Sequence, residues 1–312
     1  MTEISIVVPV RNESENIKQF LLRTEKVLAK IGKNYEIIFA LDPSSDDTEL
    51  LIIDEINRNK NIKLLVFSRQ FGQPAATVAG LSNCKGQYAV VIDVDLQDPP
   101  EIIEELYKKI VSGYEVVYAK RKSRKGETFL KKIISSIGYY LINKFSDIHI
   151  PRDAGDYRII SRKVIEELKK LNESHGFLRG MVAYVGFKQS YIEYNRDERY
   201  AGKSKYNKFI GSLKIGLNGL IGFSSRPLFL MSIVGSVIAL LSFILGIWYV
   251  FQKISGINLT PGLTTTVILI SFFAGVQLLG LGLLGEYIGR IYDEVKKRPK
   301  YILDKKVNFD DQ

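Results

Sequence analysis

Through roughly the first two-thirds of the chain, short apolar runs alternate with stretches in which apolar residues recur every three to four positions. The runs predict strands at about 4–9, 35–41, 63–67, 88–93 and 115–120, each short, β-branched and bounded by polar or turn-forming residues. Between the first two, Ile17, Phe20, Leu21, Val27, Leu28 and Ile31 fall on one face of a helix. Asn12 with Glu15 makes a capping-box pattern at its start, and Gly32 supplies its stop. Such alternation predicts an α/β fold with a mostly parallel, doubly wound sheet.

The pattern changes in the C-terminal third. No charged residue occurs from Pro227 to Gln252, nor from Ile254 to Gly285. About 20 apolar residues cross a bilayer, so two transmembrane helices fit, at approximately 227–251 and 264–288, turning around Asn258 to Gly262. Lys253 is the only charge between them, whereas Arg226 precedes the first and Arg290, Lys296, Lys297, Arg298 and Lys300 follow the second. The positive-inside rule then puts both termini in the cytoplasm. The expected division is a cytoplasmic α/β domain at 1–202, a juxtamembrane amphipathic segment at 203–226, the two spans at 227–289 and a cytoplasmic tail at 290–312.

Two further segments suit helices lying in the membrane interface: Phe129, Ile133, Ile134, Ile137, Tyr140 and Leu141 on one face, and Phe209, Leu213, Leu217, Leu220 and Ile221 on another. Packing against the soluble core is the competing account. Within the spans, small residues pair at four-residue spacing as Ser232/Ser236, Gly235/Ala239, Ser242/Gly246 and Gly285/Gly289. Such faces permit close packing within the hairpin or between protomers, so a homo-oligomer is expected.

Lys and Arg total 44 against 34 Asp and Glu, a net charge of +10. That balance fits nucleic acid or an anionic membrane surface, and the uncharged runs decide for the lipid bilayer. The opening Ile4 to Val8 run is too short for a signal core, so no signal peptide is expected. The lone Cys84 makes no internal disulfide, in keeping with a reducing compartment. Neither a G-x-G-x-x-G after the first strand nor a P-loop is present, which disfavours a dinucleotide oxidoreductase and an NTPase. His149 and His175 share no metal-ligand spacing with each other or with Cys84.

The most informative stretch is Val91-Ile92-Asp93-Val94-Asp95-Leu96-Gln97-Asp98-Pro99-Pro100-Glu101. An apolar strand ends here in two carboxylates, at the place where an open α/β sheet binds ligands. Asp93, Asp95 and Gln97 offer hard oxygen donors, which suit Mg2+ or Mn2+ on a diphosphate better than zinc. Asp98 is placed to cap the next helix, with Pro99 and Pro100 in its first turn. The alternative is a solvated turn with a capping aspartate.

Taken with this run, five other segments resemble glycosyltransferase family 2 with the GT-A fold, and more narrowly its polyisoprenyl-phosphate glycosyltransferases. They are Val8 to Glu13, Asp42 to Thr48, Arg69 to Gln73, Asp153 to Arg158 and Arg199 to Tyr206, and the paired spans extend the likeness. The resemblance implies that Pro9, Glu13 and Asp42 line a nucleotide pocket. It implies that Asp93, Asp95 and Gln97 hold a divalent metal across a nucleotide-diphosphate sugar, and that Asp156 is the catalytic aspartate, as a base or an orienting group. Arg11, Leu41 and Gln73 stand where the family usually has Tyr, Asp and Lys. Arg11 either contacts nucleotide phosphate or pairs with a neighbouring carboxylate.

Arg199, Lys203 and Lys205 precede the first span and suit the phosphate of a polyisoprenyl phosphate. Arg121, Arg124 and Glu127 match the family's R-x-x-R-x-x-E pattern, which brings Arg121 to the same phosphate. Alternatively these cations simply meet anionic lipid. The expected reaction is inverting transfer of a hexose, first UDP-glucose to undecaprenyl phosphate. GDP-mannose or a modified aminosugar is the alternative, and a non-catalytic membrane scaffold is the different-class rival. A processive synthase would need a Q-x-x-R-W motif, whereas the only Trp, Trp248, lies inside the first span.

Overall fold

The computed structural model describes residues 2–122, 154–171, 178–201, 224, 226–255 and 262–309. Strands β1 (Ile4–Val10), β2 (Tyr35–Leu41), β3 (Ile62–Phe67) and β4 (Tyr88–Val91) alternate with helices α1 (Ser14–Ile31), α2 (Thr48–Arg58) and α3 (Gln73–Asn83). Then come α4 (Ile102–Val111), β5 (Val116–Arg121), β6 (Ala154–Ser161), α5 (Arg162–Lys170), α6 (Leu178–Val185) and β7 (Gln189–Tyr194). Two long helices, α7 (Arg226–Ile254) and α8 (Leu263–Val295), precede a last strand, β8 (Leu303–Val307).

One sheet has the order β7-β5-β6-β4-β1-β2-β3-β8. Alternation along each central strand feeds two cores. Ile4, Ile6, Val8 and Val10 face the layer of α1, α2 and α4, while Val7, Ile38, Ala40 and Leu65 face α3, α5 and α6. Both faces are therefore covered, which is why these strands read as unbroken apolar runs. Gly80 lets α3 lie against β1, since a Cβ there would stand 2.3 Å from Val7 Cγ1.

The expected parallel sheet holds for β1, β2, β3 and β4 and for β5 with β7. It is broken by β6, antiparallel to both β4 and β5, and by β8, antiparallel to β3. The segment expected as a tail thus rejoins the sheet.

The first helix ends at Gly32 in the left-handed conformation, as expected, but its start differs. Glu13 is the N-cap and makes no side-chain cap bond, so the Asn12/Glu15 capping box does not form. The amides of Asn12, Glu13 and Ser14 instead donate to Ser44 Oγ, Thr48 Oγ1 and Asp46 Oδ2 at 2.9, 2.9 and 3.1 Å. Side chains of the β2–α2 loop and of Thr48 at the start of α2 thus take the amides that lead into α1.

Helices α7 and α8 are long and apolar enough to cross a membrane, over Arg226–Trp248 and Ile268–Val295, and neither stretch is buried in the protein. At 1.5 Å per residue each helix exceeds a hydrocarbon core of ~30 Å. Among the described residues, a Cβ added at Gly235, Gly246, Gly285 or Gly289 meets nothing within 4 Å, so these four glycines make no close contact across the hairpin. The two amphipathic segments around 129–141 and 209–221 lie outside the described residues.

Candidate active site

The site gathers at the carboxyl ends of β1, β2 and β4. After β4 the chain runs on as Ile92-Asp93-Val94-Asp95, and Leu96 adopts φ +60° while buried. A branched side chain is disfavoured there, so the loop is held by its surroundings. Asp95 Oδ1 accepts from the Gln97 amide at 3.1 Å. The 197–200 segment lies over this loop, with the Asp197 amide on Gln97 O at 3.0 Å and the Tyr200 amide on Asp95 O at 3.4 Å. Two segments far apart in sequence are thereby built into one mouth.

Asp93 Oδ1 accepts from Gln73 Nε2 at 2.7 Å. Burial first, then Asp98, Asp95 and Asp156, push the Asp93 carboxyl up to about 8. Burial also raises Asp95, against the Gln97 amide and Arg199. Repulsion between hard oxygen donors is what a divalent cation relieves, so the chemistry of Asp93 and Asp95 fits one. Among the described residues no three His, Cys, Asp or Glu side chains form a metal cage by themselves.

Arg199 stands between two candidate groups. Its Nη2 donates to Glu13 Oε1 at 2.5 Å, its Nη1 lies 3.6 Å from Asp95 Oδ2, and its Nε donates to Ala201 O at 2.9 Å. The residue expected at the acceptor phosphate is tied to the acidic loop and to the α1 start. Asp42 is buried, and its two oxygens accept from the amides of Phe71 and Gly72 at 2.9 and 2.8 Å. It therefore fixes the 68–73 loop beside Gln73. Pro9 is buried within β1 opposite Ala40, and Arg11 is exposed just beyond the strand.

Asp156 on β6 is gripped by Arg179 of α6, whose Nε donates to Oδ1 at 2.9 Å and whose Nη2 donates to Oδ2 at 3.4 Å. Burial opposes its charge, but Arg179, Arg158 and Arg121 outweigh burial and hold the carboxyl below its ordinary value. Arg158 is buried and donates to Gly155 O at 2.8 Å, leaving its Nη2 4.0 Å from Asp156. Burial lowers the Arg158 guanidinium to about 10, with Asp156 opposing.

Asp98 does not cap α4. That helix begins after Glu101, which makes no side-chain cap bond and pairs with Arg23 at 2.7 Å. Asp98 is instead the buried hub of a cluster, accepting from the Tyr194 hydroxyl and lying 3.6 Å from Arg121 and 3.4 Å from Arg196. Arg121 Nε also donates to Tyr194 Oη at 3.2 Å. Gly155 leaves space for that guanidinium, since a Cβ there would lie 3.2 Å from Arg121 Nη2.

Asp93, Asp95, Gln97, Glu13 and Arg199 are thus brought together, with Asp156 electrostatically coupled to Asp93. Lys203, Lys205, Arg124, Glu127 and Asp153 lie outside the described residues. Sequence reasoning missed Arg179, Arg196 and Tyr194. Arg179 carried a signal, as the one charge in the otherwise apolar run Leu178 to Val185.

A doubly wound sheet that presents an acidic strand-end loop beside an arginine-clamped aspartate has its charged groups where an open α/β sheet binds ligands. The sequence model of Glycosyl transferase family 2 matches residues 5–169, and the chain belongs to that family. It is 42% identical to the uncharacterized glycosyltransferase YkcC of Bacillus subtilis, over 99% of this chain and 96% of that one. It is 40% identical to the SfII prophage-derived bactoprenol glucosyl transferase of Shigella flexneri, over 97% of this chain and 98% of that one. A solved structure of glucosyl-3-phosphoglycerate synthase from Mycobacterium tuberculosis is similar at 16% identity and a TM-score of 0.47, covering 72% of this chain and 81% of that one. The chain is a glycosyltransferase with a GT-A type α/β domain and two apolar C-terminal helices.

Proposed function

We propose that the enzyme transfers a hexose from a nucleotide-diphosphate sugar to a polyisoprenyl phosphate at a membrane surface. UDP-glucose and undecaprenyl phosphate are the first choices. The observation that carries this reading is the pairing of a charge-strained Asp93/Asp95 loop with an ionised, arginine-held Asp156 at the same mouth. The near full-length likeness to a bactoprenol glucosyl transferase supports the acceptor and the sugar.

In this reading Pro9, Arg11, Glu13 and Asp42 belong to the nucleotide side. Asp93 and Asp95, with Gln97, would hold Mg2+ or Mn2+, which supplies charge neutralisation for the departing diphosphate. An acceptor phosphate oxygen attacks the anomeric carbon while the bond from that carbon to the nucleotide's terminal phosphate oxygen breaks. The leaving oxygen keeps the electron pair, and the configuration inverts. A phosphate monoester is largely dianionic near neutral pH, with a second pKa of ~6, so almost no proton need be removed. Asp156 orients the reacting groups rather than serving as a base, as its depressed pKa supports. Arg121, Lys203 and Lys205 serve the acceptor phosphate, and Arg199 stands at the junction of the two pockets.

The chain leaves the sheet before α7 and returns to it in β8 after α8. Both ends of a membrane hairpin would then lie on the side of the catalytic domain, which supports cytoplasmic termini at the cytoplasmic membrane. The open glycine faces of α7 and α8 support packing between protomers in a homo-oligomer.

The test is nucleoside diphosphate release by the purified full-length protein across a panel of nucleotide sugars with Mg2+ or Mn2+. Release from UDP-glucose that requires a polyisoprenyl phosphate is expected. Preference for GDP-mannose or an aminosugar donor would change the sugar assignment, and release without the lipid would remove the acceptor.

A further inference from the structure

The segment after α8 reaches the donor side of the site. β8 is the edge strand and pairs with β3, with Leu64, Leu65, Val66 and Phe67 opposite Val307, Lys306, Lys305 and Leu303. The register shifts between Val66 and Phe67, where β3 gives way to the 68–73 loop. The pairing continues past that shift, because the Ser68 amide donates to Ile302 O at 3.1 Å. The Tyr301 ring then meets Phe67 edge to face at 5.8 Å, and Phe67 meets Phe71 in the same way at 5.9 Å.

The far end of this row of rings is bound to the site. Phe71 and Gly72 give their amides to Asp42, and Gln73 gives its side-chain amide to Asp93. Within six residues, the loop joins the last strand to the two carboxylates assigned to nucleotide and metal. Asp304, Lys305 and Lys306 are exposed, while the half-buried Tyr301 and Leu303 pack against one core and Val307 against the other. A strand that only covered an edge would need backbone pairing alone. The ring contacts at its N-terminal end run further, from Tyr301 through Phe67 of β3 to Phe71 of the loop.

We infer that the Tyr301–Val307 strap sets the conformation of the 68–73 loop and thereby the affinity of the donor pocket, with Tyr301 as a positioning residue. The loop half stands on geometry alone, whereas the affinity half rests on the proposed donor site at Asp42 and Asp93. The strap also gives the membrane helices a covalent route to the site, since only residues 296–300 separate α8 from Tyr301.

The test compares wild type, Tyr301→Ala and Tyr301→Phe, all full length in detergent. Amide exchange across residues 68–73 reads the loop, and calorimetry with UDP and GDP, with Michaelis constants for donor and lipid phosphate, reads its consequence. Loss of the ring row should speed exchange at Phe71 and Gly72 and raise the donor constant about two- to tenfold, leaving the acceptor constant and saturated turnover unchanged. Tyr301→Phe, which keeps the ring, should restore loop protection. Wild-type exchange in Tyr301→Ala would overturn the strap. So would a loss shared equally by donor, acceptor and thermal stability, which marks general unfolding. Faster loop exchange in a protein whose wild type binds neither nucleotide would uphold the strap on the loop and overturn its affinity half, together with the donor-site reading.

Discussion

Arg179 holds Asp156 through both carboxylate oxygens, at 2.9 and 3.4 Å, across 23 positions of sequence. The pairing keeps the aspartate ionised and fixes its direction, two properties of an orienting group and poor properties in a base. Asp156→Asn should lower turnover about a hundredfold or more while nucleotide affinity holds. Because the folded carboxyl titrates below its ordinary value, wild-type and variant turnover should run parallel against pH in the neutral range. A pH limb present in wild type and lost in the variant would restore the base.

Arg179→Ala should share the turnover defect, and Arg179→Lys should recover only part of it, since a point charge cannot make the two-point contact. Kinetics of the two variants with saturating lipid phosphate decide this. Full activity in Arg179→Ala would show that Asp156 needs no clamp.

The contacts of Arg199 with Glu13 and Asp95 predict that Arg199→Ala weakens nucleotide-sugar binding about tenfold or more, as loss of charged hydrogen bonds does. Calorimetry in the presence of a divalent ion measures it. Unchanged donor affinity with a raised acceptor constant would return Arg199 wholly to the lipid phosphate.

Asp93 keeps its proton up to about pH 8 when folded and releases it near pH ~4 when unfolded. Between these values the folded state binds the extra proton, so metal-free stability falls as pH rises through the window. A divalent ion displaces that proton, so its affinity should rise across the same window. Thermal unfolding with and without Mn2+, near pH ~6 and again above pH ~8, should show the larger stabilisation at the higher pH. Asp93→Asn should abolish both trends, and an equal metal effect at both values would contradict the assignment.

Two glycines should separate stability from function. Gly80→Ala drives a methyl into Val7 and should cost about 1–3 kcal/mol of stability. Gly155→Ala presses only on the Arg121 guanidinium, so it should raise the acceptor constant with a smaller stability loss. Denaturant titration beside steady-state kinetics separates them.

The central strands and α1 were legible because burial on both sheet faces imposes a continuous apolar signal. β6 was not, since Gly155, Asp156 and Arg158 interrupt the apolar pattern of Tyr157, Ile159 and Ile160. β8 was hidden for a different reason: an edge strand keeps charge outward, and Asp304, Lys305 and Lys306 read as tail. The acidic loop was readable by residue type and position. The partners of the site's carboxylates were not, because Asp98 with Tyr194, Gln73 with Asp93 and Arg179 with Asp156 are tertiary pairings without a local sequence period. The capping readings of Asn12 and Asp98 failed in the same way, as both side chains found partners outside their own helix turns.

The central claim is sugar transfer to a lipid phosphate, and mass analysis of the lipid tests it most directly. Purified full-length protein is incubated with UDP-glucose, undecaprenyl phosphate and Mn2+, with Asp95→Asn as control. The account predicts a lipid heavier by one hexose, absent from the Asp95→Asn reaction and from wild type in excess chelator. An unmodified lipid beside glucosylation of some other acceptor would contradict it, as would equal product from Asp95→Asn.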